Sequence, residues 1–571
     1  MIAAENDAIK GAKVGGMADV IRDLPPALAK VDVCVDVAMP NYGFIAKDNN
    51  AEFIAKVVVK FGANLETIDV YKMPAPFLTA TDLQDKSTQD NSAQDTSSQG
   101  KSIELTSSVY LFDHHLFNSP DNQVYTEGAP DRPFAEDATK FALFNLVVAQ
   151  AYIDAVIAPV DILHMHDWHA GMLVMLRAFA SEYAALKALP CVFSIHNLAL
   201  QGIRPIREDV SSFTAWFPEL TMKLTQAQKT QISDPRYPHC INPMKMGIEL
   251  SDKVHLVSPT YANEVLMASD HQNGFFGGED LEGSLLDKHH RGDVVGILNG
   301  CIYETQATHD QLTQVNKVSK VAKSVKPVSS KQIAQVFEHS QQAVIKWIGK
   351  SEYVKAVDQI ALTRLQMLMA KQSKPSVACD FLMTSVGRLT DQKVLLLRQA
   401  NDNSGSILQS VLQRLKQAKP KAIFILLGSG DKQIAAEFQK VAANNDNFVF
   451  LNGYDDSLST SLYQYGELFM MPSSFEPCGI SQLLAMKHGQ VCIAHGVGGL
   501  RDTIADKHNG WLFEGNNLQH QAQQLLLVLE QALTMHNDNP DEFSAMRQSA
   551  SEVRFTWHKV AQEYLEKLYS S

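Results

Sequence analysis

Short apolar runs, each closed by a polar or glycine-containing turn, recur along the chain and alternate with longer amphipathic stretches. Val31 to Met39 alternates towards a strand and turns at Pro40 to Gly43, and Ser108 to Phe112, Val160 to Leu163 and Cys191 to Ile195 read as further strands. In the second half, Phe381 to Val386, Ala422 to Leu427, Phe448 to Gly453, Leu468 to Met471 and Val491 to Ala494 repeat the pattern. Strands spaced by helical segments predict an α/β protein with parallel sheets. A long helix is expected from about Ala138. The most apolar run, Phe141 to Val160, is interrupted by Asn145, Gln150 and Asp154, so it reads as a buried helix rather than a membrane span. Leu83 to Ser102 is polar and low in complexity, which predicts a floppy surface insertion. Thr305 to Gln372 is rich in Lys, Gln and Ser, has helical periodicity from Lys331 onward, and reads as an enlarged linker with a helical entry.

Composition narrows the class. At 571 residues two or three domains are expected, and 45% apolar with 20% charged residues fits a soluble globular protein. A net charge of −13 disfavours nucleic acid or an anionic membrane as partner and leaves a neutral polysaccharide compatible. Seven cysteines without C-x-x-C spacing, several inside apolar runs, read as reduced core thiols. The first ten residues lack a basic stretch followed by an apolar one, so a cytoplasmic location is expected.

Chemistry concentrates between Pro472 and Thr503. Glu476 stands between Phe475 and Pro477, just before a helix whose apolar face runs through Ile480, Leu483, Leu484 and Met486. Its carboxylate is thereby fixed in a loop, which suits sugar hydroxyls. Gly496, Gly498 and Gly499 then precede Leu500 to Thr503, and backbone N–H groups at a helix start approach a phosphate without Cβ clash. The same residues read equally well as an ordinary strand-to-helix turn, with glycines for packing and Glu476 as a cap or ion-pair partner.

Other turns add charge and histidine. Lys13 precedes Gly15 and Gly16 at a helix start, a phosphate-friendly arrangement. His164 to Gly171 reads H-M-H-D-W-H-A-G; a metal site is disfavoured, because His164 and His166 alternate on a strand end and no further ligand stands nearby at suitable spacing. Cys191 to Ile195 leads into H-N-L-A-L-Q-G, His196 to Gly202. Arg388 and Lys393 flank one turn, where paired cations can neutralise a diphosphate leaving group; a solvated basic turn is the plainer alternative. Gly428 to Asp431 lacks a full G-x-G-x-x-G, so NAD binding is not supported.

F-E-P-C-G-I-S-Q followed by G-V-G-G-L-R-D-T resembles the donor-site signature of bacterial glycogen synthases and plant starch synthases. K-V-G-G, H-D-W-H, H-N-L-A-L-Q-G, Ile241 to Val254, Val257 to Val265 and Gly296 to Gly300 are similar to that family's first-domain elements, in the same order. The resemblance implies an α/β fold of two Rossmann-like domains facing across a deep interdomain cleft, the GT-B type. Residues 1–300 form an acceptor-side domain carrying the 83–102 insertion, 301–380 an enlarged helical linker, 381–554 a nucleotide-sugar domain, and 555–571 a helix crossing back towards the first domain. The implied reaction transfers glucose from ADP-glucose or UDP-glucose to the nonreducing end of an α-1,4-glucan, with retention and without metal or cofactor. Asp167, His196, Glu476, Arg388 and Lys393 take catalytic roles by resemblance. Lys13, Gly15, Gly16, Asn197, Cys478, Gly479, Gly498, Gly499, Leu500 and Thr503 take substrate-binding roles.

Two departures stand out. Only Met1 to Ala4 precede the Lys13 loop where the family has a full strand, so either the natural chain begins upstream or this strand is unusually short, which intact mass would decide. After Asn299-Gly300 the family continues with an apolar residue and an aspartate, whereas this chain has Cys301-Ile302-Tyr303-Glu304. The rivals are a noncatalytic glucan- or nucleotide-sugar-binding homologue and a glucosyltransferase with another acceptor. The joint presence of Lys13, Asp167, His196, Arg388, Lys393 and Glu476 argues against the first; acceptor choice is not written in these motifs.

Overall fold

A computed structural model describes residues 1–76, 107–118, 123–126, 132–303, 325–401 and 405–570. The insertion expected over 83–102 and the 304–324 part of the expected linker lie outside the described residues. The chain divides into two compact units: Met1–Ala268 with Gly277–Gly300 and Trp557–Ser571, and Ser269–Phe276 with Cys301–Thr556.

In the first unit, Glu52–Phe61, Asn64–Pro74, Ser108–Asp113 and Val37–Pro40 lie side by side, and Leu163–His166, Cys191–Ile195, Lys253–Leu256 and Val294–Gly296 form a second row. Ile2 pairs in parallel with both Ala38 and Met165 and so joins the rows, which makes the expected first strand a single bridging residue. Only Asn64–Pro74 runs against the rest. The Ala135–Ile153 helix is buried around most of its circumference, as its near-continuous apolar run requires. The strand expected at Val160 to Leu163 sits further along, at Leu163–His166. Its histidines are fully buried yet hydrogen-bonded, so they occupy strand positions that a hydrophobic pattern assigns to a loop.

The second unit is a six-stranded, wholly parallel sheet. Numbered by sequence from Leu382–Val386 to Gly510–Phe513, its strands lie in the order 3-2-1-4-5-6, so the winding reverses between Leu382–Val386 and Leu468–Met471. In open α/β sheets ligands sit at such a reversal, outside the carboxyl ends of the strands. Alternate strand residues feed different layers. Met383, Phe424, Leu426 and Phe450 pack with Leu408, Leu412 and Leu525, while Leu382, Ile425, Leu427 and Val449 pack with Val336, Phe337 and Leu365. The latter come from Ser330–Lys350 and Ala356–Gln372. The stretch read as a linker thus supplies two helices that cover one sheet face, because Ile333, Val336, Phe337, Ser340, Ala343 and Val344 make a stripe at helical spacing.

The last helix, Trp557–Tyr564, continues as a π turn over Leu565–Tyr569 and packs within the first unit. Trp557 donates its indole N–H to Asp23 at 3.1 Å, and a Cβ on Gly300 would lie 2.6 Å from the same indole.

Candidate functional site

At the winding reversal of the second unit, Val386, Gly387 and Arg388 on one side and Met471, Pro472 and Ser473 on the other line a small pocket. Thr390 precedes the Asp391–Arg398 helix, whose first turn presents Lys393 to this pocket. Lys393 donates to the carboxylate of Glu476, which also accepts from the Ser473 hydroxyl at 3.0 Å. Glu476 is 5% exposed. Lys393 supplies the counter-charge to this enclosed carboxylate. The Glu476 loop is held in place by the Ser474 N–H donating to the Gln392 carbonyl at 2.7 Å and by the Phe475 ring packing on Phe276, centroids 4.7 Å apart. Arg388 is exposed at the pocket's rim, and its guanidinium makes no hydrogen bond or ion pair among the described residues, while its carbonyl accepts from the Thr390 amide at 3.1 Å.

The glycine turn behind this loop works differently from the sequence expectation. Gly499 donates its N–H to the Glu476 carbonyl at 3.0 Å, and Leu500 donates to Val497 at 3.1 Å, so neither amide is available to a phosphate. A Cβ at Gly499 would stand 2.1 Å from the Cys478 carbonyl oxygen. Glycine is needed here so that the turn can lie against the Glu476 loop. Thr503 and Leu500 are buried, with the Thr503 hydroxyl donated to the Gly499 carbonyl at 2.6 Å. Gly479 has a φ of +76° beside Gln482, whose amide bridges the Cys478 and Gly479 carbonyls and the Thr503 hydroxyl. These residues form the floor that fixes Glu476.

In the first unit, the Lys13 loop is also occupied from within. The buried Glu5 carboxylate accepts from the Val14 and Gly15 amides at 2.8 and 2.5 Å and from the Tyr125 hydroxyl at 2.7 Å. It takes the anion's place that the glycine pair suggested for a phosphate. Gly16 opens the helix Gly16–Ala29. Lys13 bridges Asp7 at 3.0 Å and Asp19 at 2.8 Å. Burial works against its charge, but the two carboxylates outweigh it and raise its pKa.

Asp167 ends the Leu163–His166 strand with φ 55° and ψ −177°, a conformation that costs a residue bearing a Cβ on the order of 1–3 kcal/mol. Its carboxylate accepts from the His196 amide at 2.7 Å and more loosely from that of Asn197 at 3.4 Å. Burial pushes its pKa up to about 7 against the pull of those amides. Asn197 turns its side-chain oxygen to the Ala199 amide at 3.0 Å and so shapes the loop. Gly202, at φ +68°, passes so close to Trp168 that a Cβ would lie 2.1 Å from the ring. The two motifs therefore fit each other through this indole.

His196 meets a second histidine. Its Nε2 lies 3.0 Å from Nδ1 of His166, and His166 stacks on His164, centroids 4.3 Å apart. His164 is held by the Tyr569 hydroxyl and by Ser194, each at 2.7 Å, and Ser194 reaches His255 at 2.8 Å. Burial, first of all, pulls the His196 pKa down to about 3 and that of His255 to about 4, and it lowers His164 and His166 well below the usual value.

Sequence reasoning missed Glu5, Ser473 and His166 as parts of these constellations. Where the family aspartate is absent, Cys301 donates its N–H to the Phe555 carbonyl at 2.7 Å, the Tyr303 hydroxyl accepts from the Phe555 amide at 3.0 Å, and Arg554 lies over the Tyr303 ring.

A family model described as starch synthase catalytic domain matches residues 1–288, and one described as glycosyl transferases group 1 matches residues 380–543. The glycogen synthase of Exiguobacterium sibiricum is 28% identical, over 98% of this chain and 97% of its own. That of Francisella tularensis subsp. holarctica is 29% identical, over 98% and 95%. Among solved structures, the catalytic domain of starch synthase IV from Arabidopsis thaliana, bound to ADP and acarbose, aligns with a TM-score of 0.67 at 23% identity, over 99% of this chain and 97% of that one. At that identity the likeness speaks for the fold, two Rossmann-like domains.

Proposed function

Because this chain belongs to the starch synthase catalytic domain family, we propose that it is a glycogen or starch synthase, extending an α-1,4-glucan at its nonreducing end with glucose from a nucleotide sugar, the anomeric configuration being retained. The observation that carries this reading is the Lys393–Glu476–Ser473 constellation at the winding reversal, beside the uncommitted Arg388. Lys393 has three N–H donors, so it can hold Glu476 and still meet a phosphate oxygen.

In this reading Arg388 and Lys393 take the diphosphate, and Glu476 accepts from glucose hydroxyls. The bond from the anomeric carbon to the diphosphate oxygen breaks with its electron pair going to that oxygen. The two cations stabilise the charge that develops there, which is the role a metal plays elsewhere. The acceptor hydroxyl attacks from the face the diphosphate leaves, and its proton passes to the departing phosphate oxygen. Lys13 is proposed as a further phosphate contact, released from Asp7 or Asp19. Asp167 and His196 are proposed to line the glucose. The glycines and Cys478, Leu500 and Thr503 are proposed to shape the donor loop rather than to bind through side chains. We further propose ADP-glucose over UDP-glucose, supported by the ADP held in the plant relative.

Incubation of the protein with radiolabelled ADP-glucose or UDP-glucose and glycogen, followed by counting of precipitated polymer, tests all of this. Incorporation from ADP-glucose that Glu476→Ala lowers by about a hundredfold or more is the expected outcome. Donor binding without incorporation from either sugar would instead identify a noncatalytic binder or another acceptor.

A further inference from the structure

Each neutral imidazole carries one N–H and one bare lone pair, so a contact between two imidazole nitrogens has its proton on one side only. His166 Nδ1 and His196 Nε2 make such a contact at 3.0 Å with their rings stacked 25° from parallel. The other nitrogen of His166, Nε2, is fully buried and has no hydrogen-bond partner. If His196 donated, the His166 proton would sit on that Nε2 as a buried N–H without an acceptor, and such orphaned donors are rare and costly. If His166 donates, Nε2 is only a lone pair facing its neighbours, which is the cheaper arrangement.

We propose that His166 is a positioning residue: it donates from Nδ1 to His196 Nε2 and thereby holds His196 in the tautomer whose proton is on Nδ1, making that imidazole a hydrogen-bond donor at the end of the Cys191–Ile195 strand. This rests on the reading that His196 lines the donor glucose, whose hydroxyl oxygens accept such a bond. His164 keeps the donor aligned. Its ring stacks on His166 and is itself fixed by Tyr569 and Ser194, so the His166 ring has a set plane rather than a range of them. The arrangement needs both rings uncharged, and burial provides that.

The test combines nitrogen-15 NMR of histidine-labelled full-length protein with the glucan assay. The parent is expected to show His196 protonated at Nδ1 with a lone pair at Nε2. His166→Phe, which keeps the ring and removes the donor, is expected to scramble that tautomer and lower kcat about tenfold while the KM for the nucleotide sugar changes little. His166→Asn, whose amide nitrogen falls near the Nδ1 position, is expected to restore both the tautomer and most of kcat. A parent spectrum with the His196 proton on Nε2 overturns the proposal, as does a His166→Phe protein with unaltered kcat. Should His166→Phe not fold, the parent spectrum and His166→Asn decide alone. A His196→Ala protein of full activity would sink the role of His196 in the reaction, and the spectrum would still report the tautomer.

Discussion

Lys393 and Glu476 are at once each other's charge compensation and the pair on which catalysis is proposed to turn. Lys393→Met leaves a carboxylate buried without its cation; because the Lys393 side chain is 21% exposed, the cost is about 1–3 kcal/mol rather than that of a fully buried pair. Adding Glu476→Gln is expected to return most of the lost melting temperature in calorimetry while glucose transfer stays down. Recovery of activity in the double variant would remove the pair from the mechanism. Asp167 makes a different prediction. Its folded pKa, about 7, is raised above the ordinary 3.8, so its contribution to stability is fully present below about pH 4 and is lost as pH rises through 7. Asp167→Asn keeps an oxygen for the His196 amide and is expected to flatten that decline in denaturant titrations between pH 4 and 8. The positions of Glu476 in a strand-to-helix loop and of Lys393 beside the turn after Leu382–Val386 could be read from the sequence, while their roles and that of Asp167 rest on resemblance. The sequence was silent on Glu5 and misleading on the Gly499 amide, which it turned towards a phosphate, since which acceptor closes on a loop amide is decided by chain brought from elsewhere.

Elements were legible where burial reads as an apolar run. Five of the six strands of the second sheet were legible from largely apolar runs, which is how parallel strands between helix layers announce themselves; the sixth, Gly510–Phe513, was not read. Leu163–His166 was displaced because histidines satisfied by Tyr569, Ser194 and His196 behave as core residues. Ser330–Lys350 was taken for a linker because its exposed face, rich in Lys, Gln and Ser, dominates the composition while a narrow stripe does the packing. The glycine turn gives the sharpest test at this scale. Gly499→Ala would force the Gly498–Thr503 turn off the Cys478 carbonyl and drag the Glu476 loop with it. The expected result is a loss of at least about 2 kcal/mol together with most of the transfer activity. An alanine protein of parental stability and rate would show that the turn has slack the packing denies.

Across the whole molecule, two units of similar construction divide the proposed labour, and the chain passes between them at 268/269, 276/277, 300/301 and 556/557. That repeated α/β pattern was legible from the alternation of strands and amphipathic stretches; the small exchange of Ser269–Phe276 was not, because it depends on Phe276 reaching Phe475. Deleting residues from Trp557 onward is expected to raise hydrogen exchange in Gly16–Ala29 and Leu163–His166, whose partners Trp557 and Tyr569 are removed, and to leave the Leu382–Val386 strand protected. Uniform deprotection of both units would contradict this division.

The return of the final helix also dictates an order of birth. On the ribosome the first unit emerges first but lacks Trp557 and Tyr569, so Asp23 and His164 wait without these partners while residues 301–556 are made. At about 5–20 residues per second that wait lasts roughly tens of seconds. The half that is translated last is therefore the half that can finish folding first, while the earlier half waits for its closing helix.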